Sequence, residues 1–154
     1  MIFATTGTQL PFDRFLEMLD SIAPSLGGEE LVVQAIPDRY RPRNLTTRGF
    51  IAPDEFGEIF SRARLIVAHA GMGTIISALE SAKPIIVVPR KAALGEHRND
   101  HQQATARRLS ELGYVHVADS TDTLATLITD PALAPLRAIS PTASSTLVSA
   151  ILAG

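Results

Sequence analysis

The sequence contains no cysteine, which excludes disulfide bonds and thiol chemistry and is consistent with a reducing compartment. It also lacks an excess of either charge, because 19% of its 154 residues are charged and the formal net charge is −2. This balance provides no basic field for binding nucleic acid. No apolar run approaches the roughly 20 residues that span a bilayer, and the first residues show no signal-peptide pattern. We therefore expect a cytoplasmic protein that does not bind nucleic acid.

Several catalytic signatures are absent as well. There is no Gly-Lys-Ser/Thr sequence, which excludes a P-loop, and no Gly-X-Ser-X-Gly sequence of the serine hydrolases. Hydrophobic residues make up 45% of the chain, and the mean hydropathy is +0.16. This amount of apolar sequence is enough for the core of one domain, residues 1–154. It also favours a surface that a partner protein covers.

Apolar runs of strand length alternate with segments of helical periodicity along the chain. This alternation predicts an α/β fold, a Rossmann-like doubly wound parallel sheet. The loops 7–9, 70–74 and 90–101 should then meet at the carboxyl edge of the sheet, where such folds bind ligands. Strands are predicted at 1–5, 31–36, 45–50 (near an edge), 65–70, 84–89 and 114–118. Helices are predicted at 11–23, 53–62, 100–112, 121–129 and 142–152, and a central helix is predicted to begin after residue 73. A loop is predicted at 131–141.

The central stretch, residues 65–76, consists of an apolar strand, a Gly-Met-Gly corner and the start of a helix. Gly71 and Gly73 permit a close approach of the backbone, and the first turn of a helix offers unpaired N–H groups to an anion. A turn that merely changes direction is the alternative interpretation, here and at the loop formed by Gly7, Thr8 and Gln9. A dinucleotide fingerprint is excluded because Ile76 occupies its third glycine position.

Three histidines have more than one interpretation. His97 and His101 are four residues apart, the spacing of two metal ligands on one helical face. We expect instead a solvated loop histidine at position 97 and a substrate contact at position 101, because no nearby residue completes a metal-ligand set. His69 ends the fourth predicted strand, either as a buried residue bonded to the backbone or as part of the cleft.

The run VAHAGMGTIISALESAKPIIVVPRKAALGEHRNDHQQATARRLSELGY, residues 67–114, resembles the C-terminal, donor-binding half of family 28 glycosyltransferases. The opening MIFATTGTQLPFDRF is similar to the small catalytic subunit of split transferases in that family. These include the dolichol-linked N-acetylglucosaminyltransferase and bacterial pairs for exopolysaccharide and capsule synthesis. The resemblance spans residues 1–118, and the HAGMGT and DHQ motifs at this spacing are its most specific part.

The resemblance implies one half of a GT-B glycosyltransferase that binds a UDP-sugar donor. A membrane-anchored partner subunit would supply the half that binds a lipid-linked saccharide acceptor, and would recruit this chain to the inner face of the membrane. No metal and no cofactor are expected, because helix N-terminal amides stabilise the leaving diphosphate in such enzymes. The absence of an Asp-X-Asp motif agrees with this expectation.

The resemblance also assigns roles to individual residues. Relatives carry an acidic residue that binds the ribose at the position of Ser77, and Glu80, one turn further on, is a possible replacement. No catalytic base is assigned within this chain: His101 is a candidate, but the partner is expected to supply the base. The expected substrate-binding set is Gly7, Thr8, Gln9, Gly71, Met72, Gly73 and Thr74 at the diphosphate, His101 and Gln102 at the sugar, and Ser77, Glu80 and Arg90.

The expected function is thus the catalytic, donor-binding subunit of a two-component glycosyltransferase, active only with its partner, in exopolysaccharide or capsule biosynthesis. Two alternatives remain at this stage. One is another nucleotide-sugar enzyme, such as a 2-epimerase, although that architecture normally places both halves in one chain. The other is a non-catalytic module that binds nucleotide sugars.

Overall fold

The computed structural model describes residues 1–7 and 10–133, which form a single six-stranded sheet flanked by helices. Short 3-10 turns lie at Ala23–Leu26 and Ala92–Leu94. The strands are β1 (Ile2–Thr5), β2 (Leu31–Gln34), β3 (Thr47–Arg48), β4 (Leu65–Ala68), β5 (Ile85–Val87) and β6 (His116–Val117). The helices are α1 (Asp13–Ile22), α2 (Pro53–Arg62), α3 (Met72–Glu80), α4 (His101–Glu111) and α5 (Thr121–Ile128).

The strands lie in the order β3-β2-β1-β4-β5-β6, and every neighbouring pair is parallel. The order reverses between β1 and β4, because the chain proceeds outward from β1 in one direction and from β4 in the other. In open sheets of this kind, ligands bind outside the carboxyl ends of the strands at the reversal point. The topology therefore predicts a ligand-binding site at the loops that follow β1 and β4.

Two hydrophobic cores occupy the two faces of the sheet. Along β1, Ile2 and Ala4 pack with α1 and α5, whereas Phe3 points to the opposite face and packs with α2, α3 and α4. This alternation follows from the two-residue period of a strand. Since both faces are covered, the central strands are apolar at nearly every position. None of the helices in the described part of the chain is long and apolar enough to cross a membrane.

The structure confirms the predicted doubly wound parallel sheet, and α2 has the predicted bounds. Pro53 occupies the first turn of α2, where its missing N–H is not needed, and acidic residues follow it. The third strand was predicted over 45–50 but pairs only at Thr47–Arg48, at the edge of the sheet. The predicted helix 142–152 and most of the loop 131–141 lie outside the described residues.

One carboxylate of α1 holds the Arg- and Pro-rich loop that follows β2. Asp20 is buried and accepts hydrogen bonds from the Tyr40 hydroxyl and from the backbone N–H groups of Arg43 and Asn44. Burial by itself raises the pKa of Asp20, but these donors outweigh it and leave the pKa below its ordinary value of 3.8. The ionised carboxylate is therefore part of the folded structure.

We expect Asp20→Ala to lower the free energy of unfolding by about 1–3 kcal/mol at neutral pH, because three donors lose their acceptor. Because the pKa of Asp20 is lowered in the folded state, the carboxylate stabilises the fold fully at pH values above its ordinary pKa. This stabilisation is lost as the pH falls through the pKa of the folded state. Urea unfolding should therefore show that the stability gap between wild type and variant narrows as the pH falls from about 5 through the folded-state pKa, which lies below 3.8. A gap that is constant with pH contradicts the role of the charge.

Candidate functional site

A cleft of about 260 Å³ opens at the carboxyl edge of the sheet, at the reversal point between β1 and β4. It is formed by the loops after β1, β4 and β5 together with the start of α4, as the sequence predicts for this edge. The lining residues are Thr6, Gly7, Leu10, His69, Arg90, His97 and Gln102.

The ring of His69 lies between two glycines. A Cβ atom at Gly71 would overlap the ring at Nε2, and one at Gly7 would lie 3.1 Å from Cε1. Gly7 also has a φ of +74°, whereas Gly71 has an ordinary extended conformation. Gly71 is therefore needed for space and Gly7 for both space and backbone conformation. His69 itself makes a long contact, 3.5 Å, from Nδ1 to the carbonyl oxygen of Thr5, so it is both a backbone-bonded residue and a cleft residue.

His69 is uncharged at neutral pH. Burial lowers its pKa to about 4, and the positive charge of Arg90 contributes in the same direction. A neutral imidazole offers one donor and one acceptor. The cleft therefore contains a hydrogen-bonding group here rather than a second cation.

Arg90 belongs to the cleft wall, yet its guanidinium is directed at the protein backbone. The residue is only 2% exposed, and it donates to the carbonyl oxygens of Pro11 at 2.7 Å, Leu10 at 2.8 Å and Thr6 at 2.9 Å. It also lies over the Phe12 ring, 4.8 Å from the centroid. Its guanidinium thus holds the loop after β1 in place, and the direct substrate contact expected from the sequence stays a prediction.

A second arginine fixes the loop that follows β5. Arg14 of α1 binds both carboxylate oxygens of Glu96, at 2.9 and 3.1 Å, and donates to the carbonyl oxygen of Pro89. Glu96 also accepts from the backbone N–H of Lys91. Because bidentate Arg–carboxylate pairs are geometrically specific, this contact sets the position of the next residue, His97.

The structure places His97 in the cleft wall, whereas the substrate contact expected of His101 stays a prediction. His97 was expected to be solvated, but it lines the cleft, and its buried Nδ1 has no hydrogen-bond partner within residues 1–7 and 10–133. His101 is exposed at the first position of α4 and is not among the lining residues. Gln102 does line the cleft, and its Oε1 accepts from the backbone N–H of Arg90 at 3.2 Å. No group of three or more metal-ligating side chains occurs in the described part of the chain.

The predicted anion-binding corner lies next to the cleft. Gly71 is the N-cap of α3 and provides no side-chain hydrogen bond, so the first N–H groups of the helix have no side-chain cap. Gly73 is exposed, and a Cβ there would meet nothing within 4 Å. Met72 and Thr74 are half-buried beside it. Open space and unpaired donors thus coincide at this corner.

Ser77 and Glu80 lie on the exposed side of α3. Ser77 lines a separate groove of about 520 Å³ between α2 and α3, together with Phe56 and Lys83, whereas Glu80 lines neither this groove nor the cleft. The two side chains are three residues apart and therefore neighbours on one helical face. Thr8 and Gln9 lie outside the described residues.

Comparison with known proteins identifies the family. The chain belongs to the glycosyltransferase family 28 C-terminal domain family, whose model matches residues 11–151. The UDP-N-acetylglucosamine transferase subunit ALG13 of Mus musculus is 29% identical over 123 residues, which cover 73% of this chain and 10% of the mouse protein. The chain therefore spans about a tenth of the length of that relative.

Two solved structures share the fold. The NMR solution structure of ALG13 matches with a TM-score of 0.64 at 20% identity, covering 99% of this chain and 96% of that one. MurG from Acinetobacter baumannii matches with a TM-score of 0.65 at 21% identity, covering 99% of this chain and 49% of MurG. The fold is that of one half of a GT-B glycosyltransferase.

We expect Gly71→Ala to be strongly destabilising and Gly73→Ala to be tolerated. The new methyl group overlaps the His69 ring at the first position and meets open space at the second. At Gly73, in the first turn of α3, alanine should leave the free energy of unfolding unchanged or raise it by less than about 1 kcal/mol, through its better helix propensity. Thermal unfolding of both variants measures this difference. Equal effects at the two positions would contradict the packing of His69 on Gly71.

Proposed function

We propose that this chain is the catalytic, donor-binding subunit of a two-component glycosyltransferase that uses a UDP-sugar. Its partner is a membrane-anchored subunit that binds a lipid-linked saccharide acceptor, and the pathway is exopolysaccharide or capsule biosynthesis. The observation that carries the proposal is the juxtaposition of a polar cleft and an uncapped, glycine-containing helix start at the reversal point of the sheet. Membership of family 28 and relatives named as transferase subunits support it.

The diphosphate of the donor is proposed to bind at Gly71–Thr74 and to be contacted by Gly7, Thr8 and Gln9. The first N–H groups of α3 point toward this position, and the helix dipole places partial positive charge there. Negative charge develops on the leaving diphosphate as the sugar–phosphate bond breaks. Fixed amides stabilise that charge without reorganisation, so this part of the reaction needs no metal ion.

The donor sugar is proposed to lie in the cleft beside Gln102. The amide of Gln102 can donate and accept, which suits sugar hydroxyls, and its bond to the Arg90 N–H fixes the orientation of the side chain. His101, one residue earlier and exposed, is proposed to contact substrate from the rim of the cleft. The ribose is proposed to lie along the exposed face of α3, near Ser77 and Glu80, with Glu80 replacing the acidic residue that relatives carry.

The acceptor and the catalytic base are assigned to the partner subunit. A transferase must hold donor and acceptor at near-attack distance, and that positioning supplies about 7–11 kcal/mol of the barrier reduction. A fold equivalent to one half of a GT-B enzyme forms only one wall of the reaction cleft. Recruitment by the partner would then bring this chain to the cytoplasmic side of the membrane.

A charge placed at Gly73 tests the diphosphate site. Gly73→Asp should weaken UDP binding at least about tenfold more than the isosteric Gly73→Asn, because only the carboxylate repels the phosphates. Isothermal titration of UDP into the two variants and the wild type gives the comparison, and circular dichroism controls for folding. Equal affinities of the aspartate and asparagine variants would place the diphosphate elsewhere.

Sugar transfer should require a second protein. The purified chain, supplied with UDP-sugars and lipid-linked acceptors, is expected to show no transfer of radiolabelled sugar, and membranes of the source organism should restore it. The matched control is the Gly73→Asp chain with the same membranes, which should remain inactive if the restored activity uses this donor site. Robust transfer by the purified wild-type chain alone would refute the two-component function.

A further inference from the structure

We propose that His97 recognises a hydroxyl group of the donor sugar through its Nδ1 atom. This inference rests on the proposed function and adds to it a specificity-determining residue. The imidazole lines the same cleft as Gln102, and its Nδ1 is buried without a hydrogen-bond partner among the described residues. An imidazole nitrogen is able to bond to a hydroxyl group either as donor or as acceptor.

A buried polar atom without a partner is unfavourable for folding. Its desolvation costs about 1–3 kcal/mol, so native structures pair nearly all such atoms. His97 Nδ1 is the only unpaired buried side-chain nitrogen or oxygen within residues 1–7 and 10–133. Its position in the wall of the cleft, rather than in either core, indicates that a bound molecule provides the missing partner.

The loop around His97 is held rigidly by side-chain acceptors. Glu96 is fixed by Arg14 and by the backbone N–H of Lys91, as described above, and Asp100 accepts from the backbone N–H of Ala92 at 2.9 Å. Contacts on both sides of His97 therefore fix its backbone before any ligand binds. A preorganised group loses little conformational freedom on binding, which is what recognition of a single hydroxyl requires.

The chemistry of the cleft favours a hydroxyl group over an anion. His69 is neutral at neutral pH, Thr6 and Gln102 are uncharged, and the one guanidinium, that of Arg90, is engaged with backbone carbonyl groups. These side chains therefore offer an anion no free cationic donor. Neutral groups that both donate and accept are suited to the alternating donors and acceptors of a sugar.

Two amide substitutions distinguish the two ring nitrogens. The asparagine amide reaches the position of Nδ1 and the glutamine amide that of Nε2, so His97→Asn should retain recognition and His97→Gln should lose it. His97→Leu removes both nitrogens, and Arg98→Ala, at the exposed neighbouring residue, is the matched control. Each protein is titrated with UDP, UDP-glucose, UDP-galactose, UDP-N-acetylglucosamine and UDP-glucuronate, and the UDP-sugar that the wild type binds most tightly is the reference ligand.

We expect His97→Gln and His97→Leu to weaken binding of the reference UDP-sugar about 3–10-fold while UDP binding is unchanged. His97→Asn and Arg98→Ala should remain within about twofold of wild type. The leucine variant without ligand should unfold at the same temperature as wild type or higher, because it removes an unpaired polar atom. A merely structural histidine would instead lower the unfolding temperature and affect both ligands equally.

Nuclear magnetic resonance of the full chain gives a second readout that needs no variant of His97. In long-range ¹H–¹⁵N spectra of the four histidine rings, Nδ1 of His97 should shift when the reference UDP-sugar is added and not when UDP is added. The inference is overturned if this resonance does not respond, or if all His97 variants bind the UDP-sugar as the wild type does. Failure of the wild type to bind UDP or any UDP-sugar would overturn the proposed function, and this inference with it.

Discussion

Arg90 carries a positive charge that is almost fully removed from water, with 2% of the residue exposed. A buried charge is tolerated only when hydrogen bonds replace its hydration, and here backbone carbonyl groups of the loop after β1 provide them. The end of β5 is thereby connected to a segment about 80 residues earlier in the chain. The guanidinium thereby fixes one wall of the cleft and adds to the lowering of the His69 pKa that burial causes, while the backbone N–H of the same residue orients Gln102.

The cleft residues were only partly predictable from the sequence. The glycines at positions 7 and 71 stand out as turn residues, but the reason for Gly71 is the His69 ring, which no local pattern reveals. His97 was misassigned because its position depends on the contact of Glu96 with Arg14, 82 residues away in the chain. Long-range contacts of this kind leave no periodic signal. The sequence located the edge of the sheet and Gln102 beside it, but not His97.

The fold was more accessible to prediction, since its determinants are local and repeated. Both faces of the sheet are covered, so the central strands appear as continuous apolar runs, and α2 has a proline start and an amphipathic pattern that fix its bounds. The apolar runs overestimate strand length, as at the segment 84–89, where only Ile85–Val87 pairs. Apolar residues beyond the last ladder bond are still buried in the core, so hydrophobicity alone does not mark the end of pairing.

The sheet ends on both sides in very short strands. In the described part of the chain, β3 and β6 each contain two residues, whereas β1, β2 and β4 contain four. A long, flat edge strand offers unpaired backbone N–H and C=O groups with which a strand of another molecule can pair. Short edge strands leave fewer such groups and so limit this pairing. The chain is therefore poorly suited to joining copies of itself through continuous sheets. Short edge strands thus reduce the tendency of this apolar-rich chain to polymerise, independently of the carboxyl edge, where the cleft lies.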